Sequence, residues 1–129
     1  MANDPLSDAL NSIKTHEIVG KKECHIKPAS KLIREVLTLF QSNSYIGDFE
    51  MVDDGKSGSF KVKLLGRIND CKTIKPRFAV KNAEWNSWEQ RYIPGKGFGF
   101  LIVSTSMGVM TNIEAKQKRI GGRLLAYIY

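Results

Sequence analysis

Apolar residues recur in the first forty positions at helical spacing, then at alternate positions, and these changes of period divide the chain into elements. Leu6, Ala9, Leu10 and Ile13 form one helical stripe. Asp4-Pro5 supplies its start, because aspartate accepts from early helix N–H groups and proline is tolerated in the first turn. After Gly20 a short strand over Glu23 to Lys27 places Cys24 and Ile26 on one face, and Pro28 ends it. Leu32, Ile33, Val36, Leu37 and Phe40 then make the wide apolar face of a second helix, closed by polar Gln41 to Ser44. Strands over Tyr45 to Val52 and Ser59 to Leu64 follow, joined by the turn-forming run Asp53-Asp54-Gly55-Lys56-Ser57-Gly58. In the second strand Phe60, Val62 and Leu64 alternate with Lys61 and Lys63, the pattern of a sheet with one solvated face. The first half therefore predicts the order α-β-α-β-β.

Periodicity is weaker from Arg67 to Ile93. Cys71 to Ile74 and Phe78 to Val80 read as strands flanking Lys75-Pro76-Arg77, and Trp85 and Trp88 share one side of a helical turn. Pro94-Gly95-Lys96-Gly97 turns the chain into the apolar strand Phe100 to Val103, which delivers a polar loop, Ser104-Thr105-Ser106-Met107-Gly108. Thr111-Asn112-Ile113-Glu114 has the form of a capping box ahead of a helix over about Ile113 to Ile120. That helix carries Lys116, Lys118 and Arg119 toward its C-terminal end, where its dipole favours cations. Gly121 occupies the expected left-handed cap, and Arg123 to Tyr129 reads as a closing strand. The fold class is α/β (α+β), in two small, tightly packed subdomains: residues 1–66, and a β-rich part with a short basic helix over residues 67–129. No repeat, low-complexity tract or flexible linker separates them.

Charge sharpens this division. The net charge is +7; through Gly66 nine Lys/Arg stand against nine Asp/Glu, and from Arg67 onward eleven stand against four. The whole excess lies in the second half, as expected of a part that faces a polyanion. A hydrophobic fraction of 42% argues against disorder. No apolar run approaches the ~20 residues of a membrane span, and Asp4 and Asp8 near the start do not fit a secretory leader, so an intracellular protein with no membrane partner is expected. Cys24 and Cys71 are isolated, which argues against a zinc site. Spacing alone leaves a disulfide open, but two small buried thiols fit the pattern better.

Other chemistry finds little support. Gly95-Lys96-Gly97-Phe98-Gly99 lacks the spacing of a phosphate loop and precedes a strand. Ser106 lacks the first glycine of a nucleophile elbow, and His16 and His25 both fall in the neutral half, with nothing to place either beside it. No catalytic residue, metal or cofactor is expected. Tyr127, Tyr129, Phe98, Phe100, Trp85 and Trp88 read first as packing aromatics and only second as base-stacking ones. The hydroxyl loop and its glycine, by contrast, offer short donors and acceptors suited to close recognition of a polar partner.

Ser104-Thr105-Ser106-x-Gly108-Val109-Met110-Thr111 and Gly121-Gly122-x-x-x-x-Tyr127 resemble the signature of the S-eight family of small-subunit ribosomal proteins. Asp4-Pro5, Leu10, Ile13, Pro28-x-Ser30-Lys31-Leu32 and Ile46-x-Asp48-Phe49 match in order, whereas the stretch from about Asp53 to Tyr92 matches poorly. Lys75-Pro76-Arg77-Phe78 and Arg91-Tyr92-Ile93-Pro94 look more like the archaeal and eukaryotic branch, and an archaeal source is expected. The resemblance implies a primary rRNA-binding protein, without catalysis, that docks on an irregular helix in the central domain of the small-subunit RNA and aids assembly beside other small-subunit proteins. It implies RNA contacts by Ser104, Thr105, Ser106 and Gly108 in the minor groove, by Gly121 and Gly122 through exposed backbone, and by Ser30, Lys31, Asp4 and Pro5 on the RNA backbone. Lys116, Arg119 and Arg123 would add phosphate attraction. Arg123 stands where bacterial members commonly have glutamate, and Met107 where they have lysine. The runner-up function is repression of the protein's own messenger RNA through the same site; a serine hydrolase acting through Ser106 and a DNA-binding protein are the remaining alternatives.

Overall fold

The computed structural model describes residues 4–53, 55, 58–95 and 97–129. The expected turn residues Asp54, Lys56, Ser57 and Lys96 lie outside them. The chain divides into two compact units, Met1–Asn69 and Asp70–Tyr129.

In the first unit α1 spans Pro5–Ile18, β1 Glu23–Ile26, α2 Lys31–Ser42, β2 Ile46–Val52 and β3 Ser59–Leu64. Both helices begin where a side-chain oxygen replaces a missing helical acceptor. Asp4 Oδ1 accepts from the N–H groups of Leu6 and Ser7 at 3.1 and 3.3 Å, and Ser30 Oγ accepts from that of Ile33 at 3.2 Å. The strands form an antiparallel sheet of order β1-β3-β2. Alternation along β3 turns Phe60, Val62 and Leu64 inward, while Lys63 is exposed. Leu6, Leu10 and Ile13 of α1 and Ile33, Val36, Leu37 and Phe40 of α2 are buried with them, whereas Leu32 is only half-buried at the margin of the apolar face. Glu17 joins the end of α1 to the segment after β3, accepting from the N–H groups of Gly66 and Ile68 at 3.1 and 3.0 Å.

In the second unit β4 spans Cys71–Thr73, β5 Ala79–Val80, a 3-10 turn Asn82–Glu84, α3 Trp85–Tyr92, β6 Phe100–Thr105, β7 Gly108–Thr111, α4 Asn112–Gln117 and β8 Gly122–Ile128. The sheet runs β4-β8-β6-β7, with β5 also paired to β8. β4 takes Ala126 to Ile128 and β5 takes Gly122 and Arg123, so one long strand is completed by two short ones. Leu101, Val103 and Leu124 from the sheet, Trp85 from α3 and Ala115 from α4 share one core. Trp85 is anchored further by its indole N–H, which donates to the Ile120 carbonyl at 3.1 Å.

Candidate nucleic-acid interface

β6 and β7 form an antiparallel hairpin in which Ser104 faces Val109 and Thr105 faces Gly108. The expected loop of 104–108 is therefore shorter than its sequence suggests: Ser104 and Thr105 belong to the strand, and only Ser106 and Met107 form the tip. The Thr105 hydroxyl closes the turn from within, donating to the Gly108 carbonyl at 2.9 Å and accepting from the Met107 N–H at 3.0 Å. Gly108 has φ 111, where a Cβ is strained, so glycine is required at this corner. Thr105 is thus a brace, while Ser106 and Met107 project into solvent, Met107 at 62% exposure. The hydroxyls of Ser104, half-buried, and Ser106, exposed, have no partner among the described residues.

The glycine pair serves the fold directly. A Cβ on Gly121 would lie 2.3 Å from the Val80 carbonyl oxygen, and one on Gly122 would lie 2.7 Å from that of Ser104 and 3.0 Å from Thr105 Cγ2. The close approach is made by this chain's own backbone, holding β8 tight against β5 and the base of the hairpin.

Helix α4 ends at Gln117, three residues before the expected Ile120. Thr111 caps its start, accepting from the Glu114 N–H at 3.2 Å, while Glu114 meets the Thr111 hydroxyl at 3.4 Å. At the other end Arg119, not Gly121, takes the left-handed conformation, with φ 57. Arg119 N donates to the Lys116 carbonyl and Ile120 N to that of Ala115, both at 3.1 Å, which is the paired closure of a Schellman motif. Glycine usually fills this place, but here the glycine is needed two residues later for close packing.

The cations divide into two groups. Lys116 is half-exposed but paired within the chain: its Nζ lies 2.7 Å from Glu89 Oε2 and 3.1 Å from Asn86 Oδ1, so it ties α4 to α3. Glu89 also accepts from Asn112 Nδ2, and Asn112 Oδ1 accepts from the buried Leu101 N–H at 2.9 Å. Asn112 and Glu89 carry no sequence motif beyond the polar residue after the Thr111 cap, and their role becomes visible only once α3 and α4 meet. Lys118, Arg119 and Arg123 are exposed. Arg123 faces Ser104 across β6 and β8, with Nη1 3.5 Å from the Arg77 carbonyl oxygen.

Of the residues expected in the first unit, Asp4, Pro5 and Ser30 start helices, and Lys31, the first residue of α2, is exposed. The tyrosines stack on one another: Tyr127 lies 5.7 Å from Tyr92 and 6.0 Å from Tyr129 between ring centroids. Tyr127 donates to Asp70 Oδ2 at 2.9 Å, and burial, then that carboxylate, push its phenol well above the usual range. Cys24 and Cys71 are free and buried, and burial raises the Cys24 thiol. No titratable side chain hydrogen-bonds to Ser106 among the described residues, and no described helix is long and apolar enough to cross a membrane. Compared with known protein families, residues 4–129 match the model described as Ribosomal protein S8.

Proposed function

The chain belongs to the ribosomal protein S8 family, and from that premise we propose that it is a primary binder of an irregular helix in the central domain of the small-subunit rRNA and helps that RNA assemble. Membership makes it a structural, rRNA-binding constituent of the small ribosomal subunit, working in the cytoplasm beside other ribosomal proteins. The finer assignment rests on one observation: the Ser106 hydroxyl stands uncommitted at a two-residue tip that Thr105 holds from inside. The A-form minor groove is wide and shallow and displays 2′-hydroxyls and base edges, within reach of short polar groups. Ser106, with Ser104 behind it, supplies donors and acceptors of that length, and the rigid turn keeps them aimed. An RNA of the same local shape in the protein's own messenger would engage the same tip.

The test is a titration of the purified protein against an irregular central-domain rRNA helix, a random duplex of equal length and the DNA version. Ser106→Ala should weaken the irregular helix by about 1 to 3 kcal/mol, roughly 5- to 150-fold, and leave the random duplex unchanged. Equal losses on both RNAs would reject recognition through the tip.

A further inference from the structure

On the surface of the second unit the Arg91 guanidinium carbon stands 4.8 Å from the centroid of the Trp88 ring, which lies 4.9 Å from that of Phe78 at a tilt of 33°. Arg77, directly before Phe78, is exposed, and its carbonyl oxygen meets Arg123. Arg123 in turn is the cross-strand neighbour of Ser104 at the base of the hairpin. A line of three exposed arginines thus leads from the hairpin to an aromatic pair and across it. We propose that Arg77 and Arg91, continuous with Arg123, form a second contact for the sugar-phosphate backbone of the RNA that the hairpin reads; this rests on the RNA-binding function given above.

Three features favour an RNA backbone here. A guanidinium presents a planar fork of donors that fits phosphate oxygens in pairs, and one laid over an aromatic ring is oriented before its ligand arrives. Trp88 is half-buried and backed by Phe78, so the platform under Arg91 is rooted in the core cluster. Finally, each of the four side-chain carboxylates between residues 70 and 129 is already engaged by a hydroxyl, amide or ammonium group. None of the three arginines is ion-paired among the described residues. Their charge is left for an external anion, and their extended arrangement suits successive phosphates better than one small ion.

The experiment measures how affinity for the irregular rRNA helix falls with salt. With both arginines replaced, Arg77→Gln with Arg91→Gln, the log–log slope should be shallower by roughly 1.4 to 1.8, two contacts at about 0.7 to 0.9 each. Random RNA should weaken in parallel. Arg77→Lys with Arg91→Lys keeps both charges and should hold the slope near that of the unaltered protein. Circular dichroism confirms that each variant is folded, and both sites are exposed. An unaltered slope in the glutamine pair would overturn the proposal. Failure of the hairpin reading would show in a different quantity, an equal loss of affinity for the irregular helix and the random duplex in Ser106→Ala, and the slope would still report on the arginines.

Discussion

Arg119→Gly should raise stability and lower RNA affinity at once. Arg119 holds φ 57 at the left-handed corner that closes α4, a geometry in which the Cβ of an ordinary residue crowds the following carbonyl oxygen. Left-handed geometry costs an ordinary residue about 1 to 2 kcal/mol. Glycine removes that strain but gives back about 0.5 to 1 kcal/mol through the greater freedom of the unfolded chain. The difference is a net gain of about 0 to 1.5 kcal/mol, centred on about 0.75 kcal/mol, because both closing hydrogen bonds use backbone atoms that the substitution leaves in place. For a chain of 129 residues the central value corresponds to a Tm rise of about 2 to 4 °C. Loss of one exposed cation should meanwhile flatten the salt slope of RNA binding by roughly 0.7 to 0.9 if Arg119 touches a phosphate. Arg119→Ala is the control: it loses the same charge and keeps the strained backbone, so its slope should match the glycine variant and its Tm should not rise. Thermal melts of all three proteins decide the matter. A glycine variant no more stable than the alanine variant would refute the strain argument, and an unchanged slope in both would remove Arg119 from the interface.

Lys116→Ala should leave the salt slope nearly unchanged, because the ammonium is committed to Glu89; its effect should appear as a stability loss of up to about 1 kcal/mol in urea melts. Asn112→Ala leaves the buried Leu101 N–H without its acceptor and should cost about 1 to 3 kcal/mol, measured by the same melts. The Tyr127 phenol, raised by burial and by Asp70, implies alkaline weakening. Below about pH 10 both folded and unfolded chains keep the proton and the stabilisation is complete. Above it the unfolded chain ionises first, so stability falls as pH climbs. Urea midpoints between pH 9 and 11.5 should decline less steeply in Tyr127→Phe, and an identical decline would exclude Tyr127 as a source.

The first unit was readable element by element because each helix and strand carries its own period and its own start. Asp4 and Ser30 sit immediately before apolar stripes, and Phe60, Val62 and Leu64 alternate without interruption. The second unit was harder for reasons that are equally local. β4 and β5 have three and two residues, too few to show a period, and both depend on a strand some fifty residues away. The tip lacks an Asn-Gly or Asp-Gly pair, so Thr105 read as loop although its hydroxyl was about to close a hairpin. Gly121 attracted the left-handed assignment because glycine is the usual occupant; what placed it there was the Val80 carbonyl, invisible until β5 pairs with β8. Lys116 shows the widest gap between the two readings. Charge and helix position mark it as a phosphate ligand, and only the meeting of α3 and α4 shows it tied to Glu89.

The two bonds of the Thr105 hydroxyl also shape how an RNA would be caught. A tip that is fixed before contact loses little freedom on docking, so most of the adjustment falls to the nucleic acid. If the RNA visits the matching shape for only a tenth of the time, the measured affinity is about tenfold weaker than the intrinsic one. Whatever else favours that shape, such as a magnesium ion, a neighbouring protein or an adjacent helix, would recover the difference. The protein would return the favour by the same factor. In this way one bracing hydroxyl would turn a small hairpin into a mould, and coupling among later arrivals would follow from stiffness instead of from contact between them.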